Sequence, residues 1–427
     1  MKKIALLLVV ILLLSGCTIA HDDTPISQSQ DTSTLHPPSV AEGDTHTSGM
    51  LAPFGDVRGN MFVESIGEYV ETRVLTPNEY NPDDMYTYQF NEYTVFSGNE
   101  ELQQKIMENG KNPGLGIRAL HDRGITGQGV TVAIIDQELS LEPPEFSGKI
   151  VEYYKIGNIE LGTSSMHGAA VTSILAGETT GVAPGVDIYY VAVPTRIEDA
   201  TYFADGLKWI IEKNKTLSED EQIRLVSVSG NPSGVDSTFS NQELWNEAVA
   251  RAQAAGILVI DCRVDADTGF VEHGHYDYNE PDNIENARNG TLSYGGVTGP
   301  TMEGYISVPC DYRTTVEQYD TGDYYYRYGG TGGLSWGIPY AAGVLALGWQ
   351  INPQLTGEEI KQLLIESAYE NEYGERIIYP AAFIEMVENS QRYEAAGKSE
   401  IRSFQNRIHH ISTSLVLTLL FFINTVT

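Results

Sequence analysis

An α/β fold, with a mostly parallel sheet and helices on both faces, is predicted from three observations. Val130-Thr131-Val132-Ala133-Ile134-Ile135 is a nearly continuous apolar, β-branched run, as expected of a strand buried on both sides. Strand-like and helix-like segments alternate beyond it, which argues for parallel strands joined by helical crossovers. Apolar residues make up 41% of the 427-residue chain, enough for a sizeable core.

The elements follow in order. Lys2 and Lys3 precede an unbroken apolar run, Ile4 to Leu14. That run is short for a membrane span and typical of the core of a signal peptide. It ends in Leu14-Ser15-Gly16-Cys17, which resembles the lipobox of bacterial lipoprotein signals. The resemblance implies a signal peptide over 1–16, cleavage before Cys17, and Cys17 as a lipid-modified N-terminus. Residues 17–50 are rich in Ser, Thr, Asp, Pro and Gly and read as a disordered tether. Residues 51–112 carry aromatic and acidic residues, and Glu100 to Gly110 looks like a short helix stopped by glycine. This stretch is either an extension packed on the main domain or a remnant of an inhibitory propeptide.

The α/β pattern occupies 113–388. The first buried strand ends in Asp136. His167-Gly168 opens a helix whose apolar side holds Ala170, Val171, Ile174 and Leu175. Strands are expected at Ile188 to Val193, Leu225 to Ser229 and Ile257 to Ile260. Ser240-Asn241-Gln242-Glu243 is a capping-box candidate before a helix ended by Gly256. Asp261 to Tyr328 is acid- and tyrosine-rich and reads as a long loop shaping a cleft. Gly332-Gly333-Leu334-Ser335 leads into a helix from Ile338 to Gln350 with Pro339 in its first turn. Ser335 then sits at a loop-to-helix junction, where unpaired N–H groups and the helix dipole favour negative charge. Thr356-Gly357-Glu358-Glu359 starts another helix, and a short one runs from about Pro380 to Val387. Residues 389–427 form a tail whose apolar run, Leu415 to Ile423, is short for a membrane span. No role is assigned to it.

Acidic residues number 58 against 26 basic ones, for a net charge of −32. That excludes nucleic acid as an expected partner. It fits a secreted or surface protein, a solvated acidic surface, or carboxylates that hold structural calcium, although no EF-hand-like spacing occurs. The three cysteines are no disulfide framework; Cys262 and Cys310 are expected as two buried thiols.

An aspartate ending a strand, a histidine opening a helix and a serine before another helix now stand in the order Asp, His, Ser. The segment Gly127 to Asp136, the segment Met166 to Gly177 with the turn Gly181-Val182-Ala183-Pro184, and the segment Gly333 to Gly343 together resemble the subtilisin-like serine proteases. The resemblance implies a subtilisin-like fold and an Asp136, His167, Ser335 triad that hydrolyses peptide bonds through an acyl-enzyme with no cofactor. It also implies a peptide or protein substrate whose backbone pairs with the strand edge near Leu225 to Gly230. With Cys17, the implied location is extracytoplasmic, on a bacterial membrane through a lipid anchor.

Four features depart from the family pattern. Gln137-Glu138 follow the aspartate, Leu334 precedes the serine, and Tyr340 stands where the family usually has histidine. Asp265 falls at the place of the family's oxyanion-hole asparagine; the alternatives are a protonated Asp265 that still donates, or another donor such as a backbone N–H with Asn289 nearby in the loop. An ionised carboxylate there would repel the developing oxyanion, and loss of one donor costs about 2.7–4 kcal/mol in subtilisin. Two readings follow: a surface serine endopeptidase, or a pseudoprotease that keeps the cleft as a peptide-binding module.

Overall fold

The computed structural model describes residues 50–63, 68–157, 166–263, 267–290, 299–320 and 323–392. The expected signal peptide, Cys17, the tether and the tail beyond 392 lie outside the described residues. So does Asp265. Among the described residues no helix is long and apolar enough to cross a membrane.

The N-terminal part contains β1 (Met61–Val63), β2 (Glu68–Val70), β3 (Arg73–Leu75), β4 (Gln89–Asn91), β5 (Thr94–Phe96) and α1 (Glu100–Asn109). Gly110 caps α1, as the sequence suggests. After α2 (Ile117–Asp122) comes the central region: β6 (Thr131–Asp136), β7 (Ile150–Lys155), α3 (Met166–Ala176), β8 (Asp187–Ala192), α4 (Ala200–Asn214), β9 (Ile223–Val228), α5 (Gln242–Ala254) and β10 (Leu258–Asp261). Its five strands form one parallel sheet in the order β10-β9-β6-β8-β7.

Alternation along each strand explains the two covered faces. On one face Val132, Ile134, Ile188, Tyr190, Leu225 and Ile260 join the core that includes α3. On the other face Ala133, Ile135, Val191, Val226 and Val259 pack with Phe203, Leu207, Trp245 and Ala248 of α4 and α5. All six residues of β6 are buried, which is why its sequence shows no polar alternation.

The stretch expected as a long loop contains five strands. It holds β11 (Val271–His275), β12 (Arg288–Asn289), β13 (Ile306–Pro309), and the hairpin β14 (Arg313–Asp320) and β15 (Asp323–Gly329). Its tyrosines turn inward: Tyr276 and Tyr328 are almost fully buried, and they pack near Tyr312. Acid-rich composition masked this pattern. α6 (Leu334–Ile351), α7 (Gly357–Glu366), β16 (Tyr369–Glu370), β17 (Arg376–Ile377) and a last helix, α8 (380–392), complete the fold. β11, β12 and β13 join β16 and β17 in a second sheet ordered β12-β11-β13-β17-β16. α7 carries a capping box between Thr356 and Glu359, at the helix start expected there. The box expected at Ser240 is absent. Ser240 instead bridges to Asp199, and α5 starts after Asn241, whose φ of 56° is left-handed.

Close approach of α3 to the end of β6 depends on Gly168. A Cβ there would lie 2.5 Å from the Tyr190 hydroxyl and 2.7 Å from the Gln137 carbonyl. Gly168→Ala is therefore expected to destabilise the protein by about 1–3 kcal/mol through overpacking, despite alanine's better helix propensity. Urea unfolding of the two forms measures this, and an unchanged midpoint contradicts it.

Candidate active site

The last residue of β6, Asp136, is 2% exposed at the carboxyl end of the parallel sheet. Ligand sites of open α/β sheets lie beyond such ends. Its Oδ1 accepts the Gln137 N–H at 2.7 Å and faces His167 Nδ1, also at 2.7 Å. A carboxylate can only accept, so Nδ1 carries the proton and Nε2 is left as the basic nitrogen. Burial disfavours the imidazolium. The charge of Asp136 and its hydrogen bond outweigh burial, and His167 is held above its ordinary pKa.

His167 is the second residue of α3. Its ring lies 5.5 Å from the ring of Trp336, at 65°. This contact sets the first turn of α6 against the imidazole. Ser335, the residue before Trp336, is 2% exposed. The three sequence-predicted residues Asp136, His167 and Ser335 thus come from β6, α3 and α6.

α6 begins four residues earlier than expected, so Ser335 lies inside its first turn and Pro339 lies within the helix rather than in its first turn. A proline there has no N–H for the carbonyl four residues back. That carbonyl belongs to Ser335, and it accepts the Ser229 hydroxyl at 2.8 Å instead. In return the Ser335 hydroxyl donates to the Ser229 carbonyl at 3.3 Å. The nucleophile candidate is therefore tied to the end of β9 by a reciprocal serine pair, which sequence reasoning missed. Proline four residues after a serine was the available signal.

A second missed feature lies after β10. Arg263 Nε pairs with Asp261 Oδ2 at 2.9 Å, and both side chains are buried. Trp245 and Thr268 also donate to Asp261, while Arg263 reaches Ser233 and Asn246. Burial pushes Asp261 above the usual carboxylate range, against the pull of Arg263. Asp261, Arg263 and Thr268 flank the stretch in which the oxyanion donor was sought, of which 264–266 lie outside the described residues. The Asn289 amide donates to the Gly299 carbonyl at 3.1 Å and to Glu272 at 3.4 Å. Cys262 and Cys310 are buried and unpaired with each other. Among the described residues no group of three or more His, Cys, Asp or Glu side chains is arranged to hold a metal.

With this geometry in view, the comparisons are specific. The profile of the subtilase family (Peptidase_S8) matches residues 127–393. The chain belongs to the subtilase family. It is similar to the subtilisin-like protease PopC of Myxococcus xanthus, 25% identical over 288 residues, covering 59% of this chain and 58% of that protein. It is similar also to the serine protease AprX of Bacillus subtilis, 27% identical over 278 residues, covering 56% of this chain and 61% of that protein. The chain thus spans less than two thirds of the length of these relatives. Among solved structures, the A-subunit of the AB5 toxin from E. coli aligns with a TM-score of 0.48 at 17% identity, over 64% of this chain and 98% of that one.

Three of the four departures of this subtilase from the family pattern lie among the described residues. Tyr190 donates its hydroxyl to the Gln137 carbonyl, and Glu138 pairs with Lys155. Tyr340 is fully buried, with its hydroxyl near the Gly114 carbonyl at 3.4 Å and the Arg313 guanidinium 5.8 Å from its ring. Leu334 packs against the main core.

Removing the Ser229 hydroxyl strands a buried carbonyl, which costs about 1–3 kcal/mol. Ser229→Ala is expected to show that loss, and Pro339→Ala should recover part of it by restoring a helical N–H. A double-mutant cycle in urea tests this, and simple additivity of the two changes contradicts it.

Proposed function

We propose that this chain is a serine endopeptidase in which Asp136, His167 and Ser335 act as a triad. The single observation that carries the proposal is the 2.7 Å carboxylate–imidazole hydrogen bond beside the first turn of α6, where Ser335 sits. A serine hydroxyl is a weak nucleophile until a base takes its proton. His167 Nε2 takes it as Ser335 Oγ attacks the peptide carbonyl. The same nitrogen then protonates the leaving amine, leaving an acyl-enzyme that water hydrolyses by the reverse sequence. Asp136 stays ionised, holds the tautomer and stabilises the imidazolium between these steps. The Ser335 N–H lies in the first turn of α6, at the positive end of the helix dipole, and is suited to the developing oxyanion.

The substrate is a peptide or protein, whose backbone lies along the segment after β9. The Leu14-Ser15-Gly16-Cys17 motif supports attachment of the enzyme to a bacterial membrane through lipid on Cys17, outside the cytoplasm. Intact mass of the membrane-extracted protein with and without Cys17→Ala tests that location: an acylated mass dependent on Cys17 is expected, and an unmodified N-terminus contradicts it.

A fluorophosphonate probe is expected to label the wild type and not Ser335→Ala. Absence of labelling in a folded wild type would instead leave a subtilase-fold binding module. The raised pKa of His167 sets the sign of the pH dependence. The neutral base is lost as pH falls through that value, so kcat/KM should decline on an acid limb lying above the ordinary imidazole value of about 6.5. Asp136→Asn should move this limb downward and lower kcat by roughly 10⁴. An acid limb unaffected by that substitution would remove Asp136 from the mechanism.

A further inference from the structure

The segment before the family-matched region is built into the catalytic part. β4 is the third strand of the β14-β15 hairpin sheet, with Phe90 opposite Tyr328 and Gln89 opposite Gly329. Tyr80, Met85, Tyr88, Phe90 and Phe96 are fully buried. Thr314 of β14 donates its hydroxyl to the Met107 carbonyl at 2.7 Å. Gly330, five residues before Ser335, has its N–H on the Tyr88 carbonyl at 3.1 Å. It lies so close to Thr87 that a Cβ would fall 2.2 Å from the Thr87 oxygen.

A buried ionic network follows the same path. Glu317 is fully buried and accepts from Arg327 at 2.8 Å and from Arg58 at 3.4 Å. Arg58 is also held by Asp56 at 2.7 Å. Arg327 contacts Gln89 Oε1 and reaches Met166 Sδ at 3.8 Å. Met166 is the residue before His167. The same hairpin touches the histidine helix again where Val316 N–H donates to Ser173 at 3.2 Å.

We propose that residues 55–63 and 68–96 are a permanent structural part of the active protease, and that Arg327, clamped by this segment, is a positioning residue for the turn carrying His167. Release of the segment would leave Glu317 buried with one arginine fewer, open the edge of β15 and expose five apolar or aromatic side chains. An open strand edge and a buried carboxylate short of a partner are both costly, so loss of the segment works against the fold of the domain it would leave.

The kinetic arm of the test rests on the peptidase reading; the structural arm does not. In the full-length Ser335→Ala chain, hydrogen-exchange protection over Gln89–Asn91 should match that over Asp323–Gly329 within about tenfold, as for one cooperative unit. Faster opening of β4 by more than that, with β15 still protected, overturns permanence. In the wild type, the probe-labelled chain should begin before Asp56 by intact mass, and a labelled chain beginning after Asn91 overturns permanence as well. No labelling at all sinks the peptidase reading and leaves the exchange result to decide. Arg327→Met should lower kcat by about tenfold with KM within about twofold, and Arg327→Lys should restore part of kcat. Gln89→Leu, which keeps the Glu317 ion pairs, is the milder variant and should lower kcat by about threefold. Unchanged kcat in both Arg327→Met and Gln89→Leu overturns the positioning role.

Discussion

The hydrogen bond between Asp136 and His167 is the constraint on which the rest of the molecule depends. It needs a carboxylate held at the rim of the sheet and an imidazole delivered to it by a separate helix. β6 supplies the first because it is buried along its whole length and paired on both edges, with β8 and β9, which fixes Asp136 at its end. α3 supplies the second because glycine at position 168 lets the helix approach the chain just beyond β6.

The nucleophile candidate is fixed by a different device. Pro339 frees the Ser335 carbonyl from the helical ladder, and Ser229 takes it up. One covalent restriction thus becomes a link between α6 and β9. Behind α3, the hairpin and β4 form a backing layer with their own buried charges. Isolated ionic pairs of this kind add little net stability, but losing one partner is costly, so they favour a single arrangement of the elements that meet there.

Much of this was legible in the sequence. The β6 run and the alternation of strands and helices gave the fold class, and the order Asp, His, Ser picked out the three residues proposed as the triad, because buried parallel strands and helix openings leave strong local marks. The strands between Val271 and Gly329 were not legible. Their alternation is hidden by acids and tyrosines whose burial depends on tertiary partners such as Arg313, which donates to the Pro113 and Thr180 carbonyls. The start of α6 was misplaced for a similar reason. Pro339 reads locally as a first-turn residue, and only the distant Ser229 makes an interior position acceptable. The pairing of β4 with β15 joins residues more than two hundred positions apart, and nothing local announces it.

The most direct test of the central claim is a nitrogen-15 NMR titration of His167 in the Ser335→Ala protein, which removes catalysis but keeps the carboxylate. The account predicts a ring protonated at Nδ1 in its neutral form, with a pKa above that of an ordinary imidazole. A neutral ring protonated at Nε2, or one titrating at or below the ordinary value, would contradict it.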